Sequence, residues 1–194
     1  MNHICVYLGS SFGNKECYKH SVEALGKEIA AQEYTLIYGG SSLGMMGVLA
    51  NTAMKHGGKV IGITTQHLLD KEVPLDTLDE LIIVDSMQER KKRMQTMADS
   101  FIVMPGGLGT LEEAIETWNA IKIGEITKPI AFFNKDAYFD SLFKFMTCCN
   151  ESGFLKEADL KLPIVSDNIK VILNTLSINK TNKVSESATK ACTV

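Results

Sequence analysis

Short runs of continuous apolar residues alternate along this chain with longer stretches in which apolar positions return every three or four residues. Residues 4–8 (Ile-Cys-Val-Tyr-Leu) are the first such run, and they end in Gly9-Ser10-Ser11. Tyr18, Val22, Leu25 and Ile29 then recur at helical spacing. Residues 35–38 (Thr-Leu-Ile-Tyr) form a second run, broken by Gly39 and Gly40. Residues 43–54 are apolar nearly all round, which predicts a buried helix. Residues 59–63, 81–84, 101–104 and 130–133 predict further strands, and residues 163–165 a short last one. Between them lie three helical stripes: Leu111, Ala114, Ile115, Trp118 and Ile121; then Phe139, Leu142, Phe143 and Met146; then Ile169, Ile172, Leu173 and Leu176. Strands that are apolar throughout and separated by helices predict a mainly parallel sheet covered on both faces. The fold class is therefore α/β, a Rossmann-like three-layer sandwich, with a ligand site expected outside the carboxyl ends of the strands. Residues 1–177 read as one domain. After Ser177 the chain turns to Asn, Thr, Ser and Lys with little to bury, so residues 178–194 are predicted to be a disordered tail.

Composition narrows the partners. In a chain of 194 residues, 45% hydrophobic content is enough for a single core without staples. The 20 Lys+Arg against 23 Asp+Glu give a net charge of −3, which is not the basic footprint of a nucleic-acid binder. A small anionic ligand is still admissible, because a local pocket can be positive when the whole is not. The five cysteines have no C-x-x-C pair and read as reduced thiols. The four histidines are scattered without ligand spacing, so no metal site is expected. No charged, cleavable leader is visible at the N-terminus, and no apolar run approaches the ~20 residues of a membrane span. These features predict a cytoplasmic protein without a membrane partner.

Three predicted strands end in glycine-rich segments: residues 9–13, residues 39–47 and residues 105–113. Glycine lets backbone approach a ligand closely, and a following helix start favours phosphate. None of the three is G-x-G-x-x-G or contains G-K-[ST], so dinucleotide and nucleoside-triphosphate sites lose their main support. In the third segment, Thr110-Leu-Glu-Glu113 fits a capping box in which Glu113 merely ties back to a free N–H at the helix start. Alternatively, if the glycine run holds a phosphate, Glu113 lies within reach of an attached sugar. Glu112 and Glu116 read as solvated face. A second constellation follows residues 81–84, where Met87, Arg90, Lys91, Met94 and Met97 share one helical face. Arg90 and Lys91 thus occupy a stripe where core residues are expected. Either their stems snorkel to water, or their heads have a fixed partner such as a carboxylate or phosphate.

The segment Pro-Gly-Gly-Leu-Gly-Thr-Leu-Glu-Glu at residues 105–113 resembles the P-G-G-x-G-T-x-x-E signature of the LONELY GUY phosphoribohydrolases. Met-Gln-Glu-Arg-Lys at residues 87–91 is similar to their M-x-x-R-K segment, and residues 38–47 and 9–11 are similar to further family segments in the same order. The likeness covers approximately residues 3–175. It implies a homodimer that cleaves cytokinin riboside monophosphates or AMP to free base and ribose 5-phosphate, without a metal or organic cofactor. It also implies roles for particular residues. Arg90 and Glu113 match the catalytic pair. Lys91, Gly107, Leu108, Gly109 and Thr110 match phosphate and ribose contacts, with Ser10, Gly40 and Gly106 in the matching glycine segments. Asn119 and Glu72 match further substrate contacts. Gln88 and Ser41 depart from the family pattern, in which His and Gly are commoner. Members of the family have also been labelled lysine decarboxylases, but nothing in the sequence points to a pyridoxal phosphate site. The rival readings are a carrier that resembles the molybdenum-cofactor carrier proteins and binds a phosphate ligand without turnover, and a nucleotide nucleosidase of broader range.

Overall fold

The computed structural model describes residues 2–70, 75 and 77–178. Residues 179–194, expected to be a disordered tail, and Glu72 therefore lie outside the described residues. The strands are β1 (His3–Tyr7), β2 (Thr35–Tyr38), β3 (Lys59–Thr65), β4 (Glu80–Val84), β5 (Ser100–Val103), β6 (Ile130–Phe133) and β7 (Ile164–Ser166). All pairings are parallel, in the order β4-β3-β2-β1-β5-β6-β7. The helices are α1 (Glu16–Ala31), α2 (Gly44–Lys55), α3 (Gln66–Leu69), α4 (Met87–Met97), α5 (Leu108–Lys122), α6 (Asp140–Glu151), α7 (Glu157–Leu160) and α8 (residues 169–178).

Alternation along the strands splits the core in two. Ile4 and Val6 of β1 face one cluster with Val22 and Leu25 of α1, Leu49 and Ala53 of α2, and Ile172 and Leu173 of α8. Cys5 and Tyr7 face the other, with Met94 of α4 and Ala114 and Trp118 of α5. A period of two on the strand thus feeds both helical layers. The chain winds outward from β1 through β2, β3 and β4, then returns to pair β5 with the free side of β1. That reversal is the topological switch point of the sheet, and it opens a crevice above the carboxyl ends of β1 and β5.

Helices lie on both sides of the sheet, with two local departures from full burial. The sheet is not covered on both faces everywhere: β4 is an edge strand, and its Ile83 is 51% exposed. An apolar run alone does not distinguish an edge from a central position. The stripe on α6 leaves no residue of that helix fully buried; Leu142, Phe143 and Met146 pack only partly against the second cluster, while Phe139 just ahead of it is buried.

Candidate active site

The crevice is a cavity of about 660 Å³, within the usual range for small-molecule sites. The segments that follow β1, β2 and β5 build it, and they lock together. Gly9 N–H donates to Pro105 O (3.3 Å), joining the first segment to the third. Gly44, in the left-handed region at φ 52°, sits so close to the first segment that a Cβ would lie 2.0 Å from Ser10 O. Only glycine satisfies both demands.

The third segment corrects the capping-box reading. Helix α5 begins at Leu108, with Gly107 as N-cap, so Thr110 lies inside the first turn and Glu113 in the second. Leu111 N–H makes the first intrahelical bond, to Gly107 O (3.0 Å). The N–H groups of residues 108–110 precede it and point out of the helix end at the cavity. A Cβ at Gly107 or Gly109 would meet nothing within 4 Å, so both glycines present bare backbone to open space. The helix dipole adds partial positive charge there.

Helix α4 brings the cation. Ser86 Oγ accepts from Glu89 N–H (3.2 Å) and caps the helix start, so that Arg90 turns inward at the fourth helical position. Its Nε donates to Ile63 O of β3 (2.8 Å), and its Nη1 donates to Glu113 Oε1 (2.8 Å). Both side chains are buried: Arg90 is 4% exposed and Glu113 7%. Glycine at position 39 makes room for the guanidinium, because a Cβ there would fall 2.5 Å from Arg90 Nη2. Burial pushes the Glu113 carboxyl above the ordinary glutamate range, and Arg90 pulls it back only in part. A buried pair of this kind is weak as a source of stability. Facing a cavity with a perturbed carboxyl, it is a candidate functional site.

Beneath the pair lies a neutral polar chain. Tyr7 Oη and Thr117 Oγ1 are 2.9 Å apart, and Gln95 Nε2 donates to Thr117 Oγ1 (3.1 Å). Burial raises the Cys5 thiol and the Tyr7 phenol well above their usual ranges, so both stay protonated.

Of the residues singled out from sequence, Ser10, Arg90, Gly106, Gly107, Leu108, Gly109, Thr110 and Glu113 line the cavity together. Gly40, Lys91 and Asn119 are not among its walls. Lys91 donates instead to Glu112 Oε1 (2.7 Å) and Glu116 Oε2 (2.5 Å) across the α4–α5 contact. Glu112 and Glu116 are therefore more than a solvated face, because they hold the second inward cation. Ser41 Oγ accepts from Leu43 N–H (3.1 Å) and shapes the entry to α2, and Gln88 is exposed outside the cavity. Sequence reasoning missed Asn14, Tyr18, Met45, Met46, Leu68, Met87 and Tyr138 as lining residues. Among the described residues, no cluster of His, Cys, Asp or Glu has the form of a metal site, and no helix is long and apolar enough to cross a membrane.

The family model described as "Possible lysine decarboxylase" matches residues 46–176. A cytokinin riboside 5′-monophosphate phosphoribohydrolase of Arabidopsis thaliana is 36% identical over 177 residues, 91% of this chain and 78% of the relative. A probable cytokinin riboside 5′-monophosphate phosphoribohydrolase of Oryza sativa subsp. japonica is 41% identical over 152 residues, 78% of this chain and 67% of the relative. Among solved structures, the molybdenum cofactor carrier protein of Chlamydomonas reinhardtii superposes with a TM-score of 0.71 at 20% identity, covering 93% of this chain and 98% of that one. The molybdenum cofactor binding protein of Rippkaea orientalis gives a TM-score of 0.66 at 21% identity, covering 91% and 95%. At those identities the structural likeness establishes the three-layer α/β fold alone.

Proposed function

The chain belongs to the family of the cytokinin riboside 5′-monophosphate phosphoribohydrolases, and from that premise we propose that it hydrolyses the N-glycosidic bond of purine nucleoside 5′-monophosphates. The products are free base and ribose 5-phosphate, with N6-modified adenine nucleotides and AMP as the substrate class. The observation that carries this assignment is the buried Arg90–Glu113 pair opening on the same cavity as the glycine-built start of α5.

The chemistry follows from the placement. The 5′-phosphate takes the N–H groups of residues 108–110 and the helix dipole. Ribose then reaches Glu113, and the base extends over the more apolar wall of Met45, Met46, Leu68 and Met87. As the C1′–N bond breaks, its electron pair leaves with the base and positive charge develops on the ribose. Ionised Glu113 stabilises that charge and takes a proton from the water that attacks C1′; that proton passes on to the departing base, so neutral base leaves and the carboxylate is restored. Its raised pKa makes it a better base near neutrality than an ordinary glutamate. Arg90 holds Glu113 in place and offsets negative charge on the departing base; a guanidinium is too weak an acid to serve as proton donor at neutral pH. Phosphate binding remote from C1′ supplies orientation at the reacting centre. The carrier alternative has no use for a buried carboxylate beside an anionic ligand. The resemblance also carries a cytoplasmic homodimer to this chain, and exposed apolar side chains such as Phe145 and Phe154 suit such an assembly.

Incubation with AMP and with isopentenyladenosine monophosphate releases free base detectable by chromatography. Adenosine, which lacks the phosphate, has a kcat/KM at least about 100-fold below that of AMP, since each hydrogen bond to a charged group contributes about 1.5–3 kcal/mol. Equal values for adenosine and AMP would remove the cradle from the mechanism.

A further inference from the structure

Between β6 and α6 the chain makes a turn that seats Phe139 in the core and sets Tyr138 beside the cavity. Asp136 (φ 51°) and Ala137 (φ 58°) are consecutive non-glycine residues in the left-handed region. That conformation persists only where the surroundings enforce it, and it clusters at functional sites. Here the enforcement is visible. Asn134 Oδ1 accepts from Phe139 N–H (2.7 Å), while its Nδ2 donates to Asp140 Oδ1 (2.7 Å), so one side chain brackets the turn. The Asp136 carboxylate accepts from the Cys17 thiol (3.3 Å) and lies 3.8 Å from the Lys15 ammonium, which fastens the turn to the start of α1.

The product of this arrangement is the position of Tyr138. Its ring stands edge-on to Tyr18 (5.6 Å between centroids) and to Phe139 (4.9 Å), and it lines the cavity. Its hydroxyl donates to Gly106 O at 2.7 Å. In a trans peptide the carbonyl and the following N–H point in opposite directions. Tying down Gly106 O therefore aims Gly107 N–H away from Tyr138. Glycine on both sides of that peptide would otherwise leave it free to turn its carbonyl toward an anion. We propose that Tyr138 is a positioning residue for phosphate: it holds the Gly106 carbonyl, fixes the Gly106–Gly107 peptide from which α5 starts, and so keeps that carbonyl from turning bare toward the 5′-phosphate of the substrate. The role rests on the phosphate cradle proposed above and adds a residue outside every glycine segment to it.

Tyr138→Phe removes the hydroxyl and keeps both ring contacts, so the fold is retained. The expected result is a rise of about fivefold in Kd for ribose 5-phosphate, the worth of one neutral hydrogen bond. KM for AMP rises by a similar factor, the effect falls on KM rather than kcat, and the Kd of adenosine stays as in the native chain. Calorimetry on the two proteins with ribose 5-phosphate and adenosine reads this directly. An unchanged Kd for ribose 5-phosphate in Tyr138→Phe overturns the positioning role while leaving the cradle intact. Equal weakening toward ribose 5-phosphate and adenosine also overturns it, by showing general loosening of the cavity. Failure of the native chain to bind ribose 5-phosphate removes the cradle itself, and the role of Tyr138 with it.

Discussion

Glu113→Gln turns over AMP about 10²–10⁴-fold more slowly than the native chain, the range lost with a positioned acid–base group, while remaining folded. Glutamine keeps the size of the side chain and an oxygen that accepts from Arg90 Nη1, where Glu113 Oε1 now accepts at 2.8 Å. Losing the charge on that bond costs about 1–2 kcal/mol, which a domain of ordinary stability tolerates. Truncation to alanine would instead strand a buried guanidinium and cost about 3–5 kcal/mol, confounding folding with chemistry. The pH profile supplies a second signature. Burial holds the Glu113 proton more tightly in the folded chain than in the unfolded one. This group therefore contributes stability that is present at low pH and lost as pH rises through its raised folded value. On the proposed mechanism activity runs the other way, because only ionised Glu113 would stabilise the oxocarbenium charge. Rates fall as pH drops through that same value, above the ordinary glutamate range, and Glu113→Gln lacks this acid limb. A folded Glu113→Gln protein with native turnover would reduce Glu113 to the counter-ion of Arg90.

Gly39→Ala loses on the order of 10²-fold in kcat although residue 39 has no side chain to contribute. The new Cβ would stand 2.5 Å from Arg90 Nη2, far inside contact distance. The guanidinium cannot simply swing clear, because Ile63 O holds Nε and Glu113 holds Nη1. It must shift by about 1 Å, and a displacement of that size in a catalytic constellation costs about 10²-fold. Gly39 is not in the left-handed region, so alanine adds no backbone strain, and the crowding against the pinned guanidinium and the Met46 side chain lowers stability by about 1–3 kcal/mol without unfolding the protein. Kinetics and thermal unfolding of the one variant separate the two quantities. Native kcat with Arg90 still bonded to Glu113 would show that the guanidinium has slack.

Most of the fold was legible because both layers obey simple periods. Residues 4–8, 35–38 and 101–104 alternate sides of a sheet buried on both faces, and α1 and α5 carry stripes that match the clusters they fill. The site was legible where chemistry conflicts with those periods. Arg90 occupies a core position on α4, and that conflict alone marks it as needing a partner. Periodicity alone could not name that partner, since Glu113 lies 23 residues away across β5, and only the family resemblance paired the two. Lys91 raised the same conflict and found a different answer in Glu112 and Glu116, because adjacent residues on a helix point about 100° apart. Tyr138 gave no signal at all. It is a single aromatic residue in a turn, and only the left-handed geometry of residues 136 and 137 aims it at the glycine segment.

The interlocking of the three glycine segments also has a kinetic side. Ser10, Gly44 and Pro105 come from parts of the chain that meet only after β1, β2 and β5 are in register. Loop closures of that length precede any gain from contact. On the proposed cradle, a nascent or partly unfolded chain has no nucleotide affinity, and a ligand binds the native state alone. At 100 times its Kd, ribose 5-phosphate stabilises the protein by about 2.7 kcal/mol. All of it appears as slower unfolding, with refolding rates untouched, in stopped-flow traces recorded with and without the sugar phosphate.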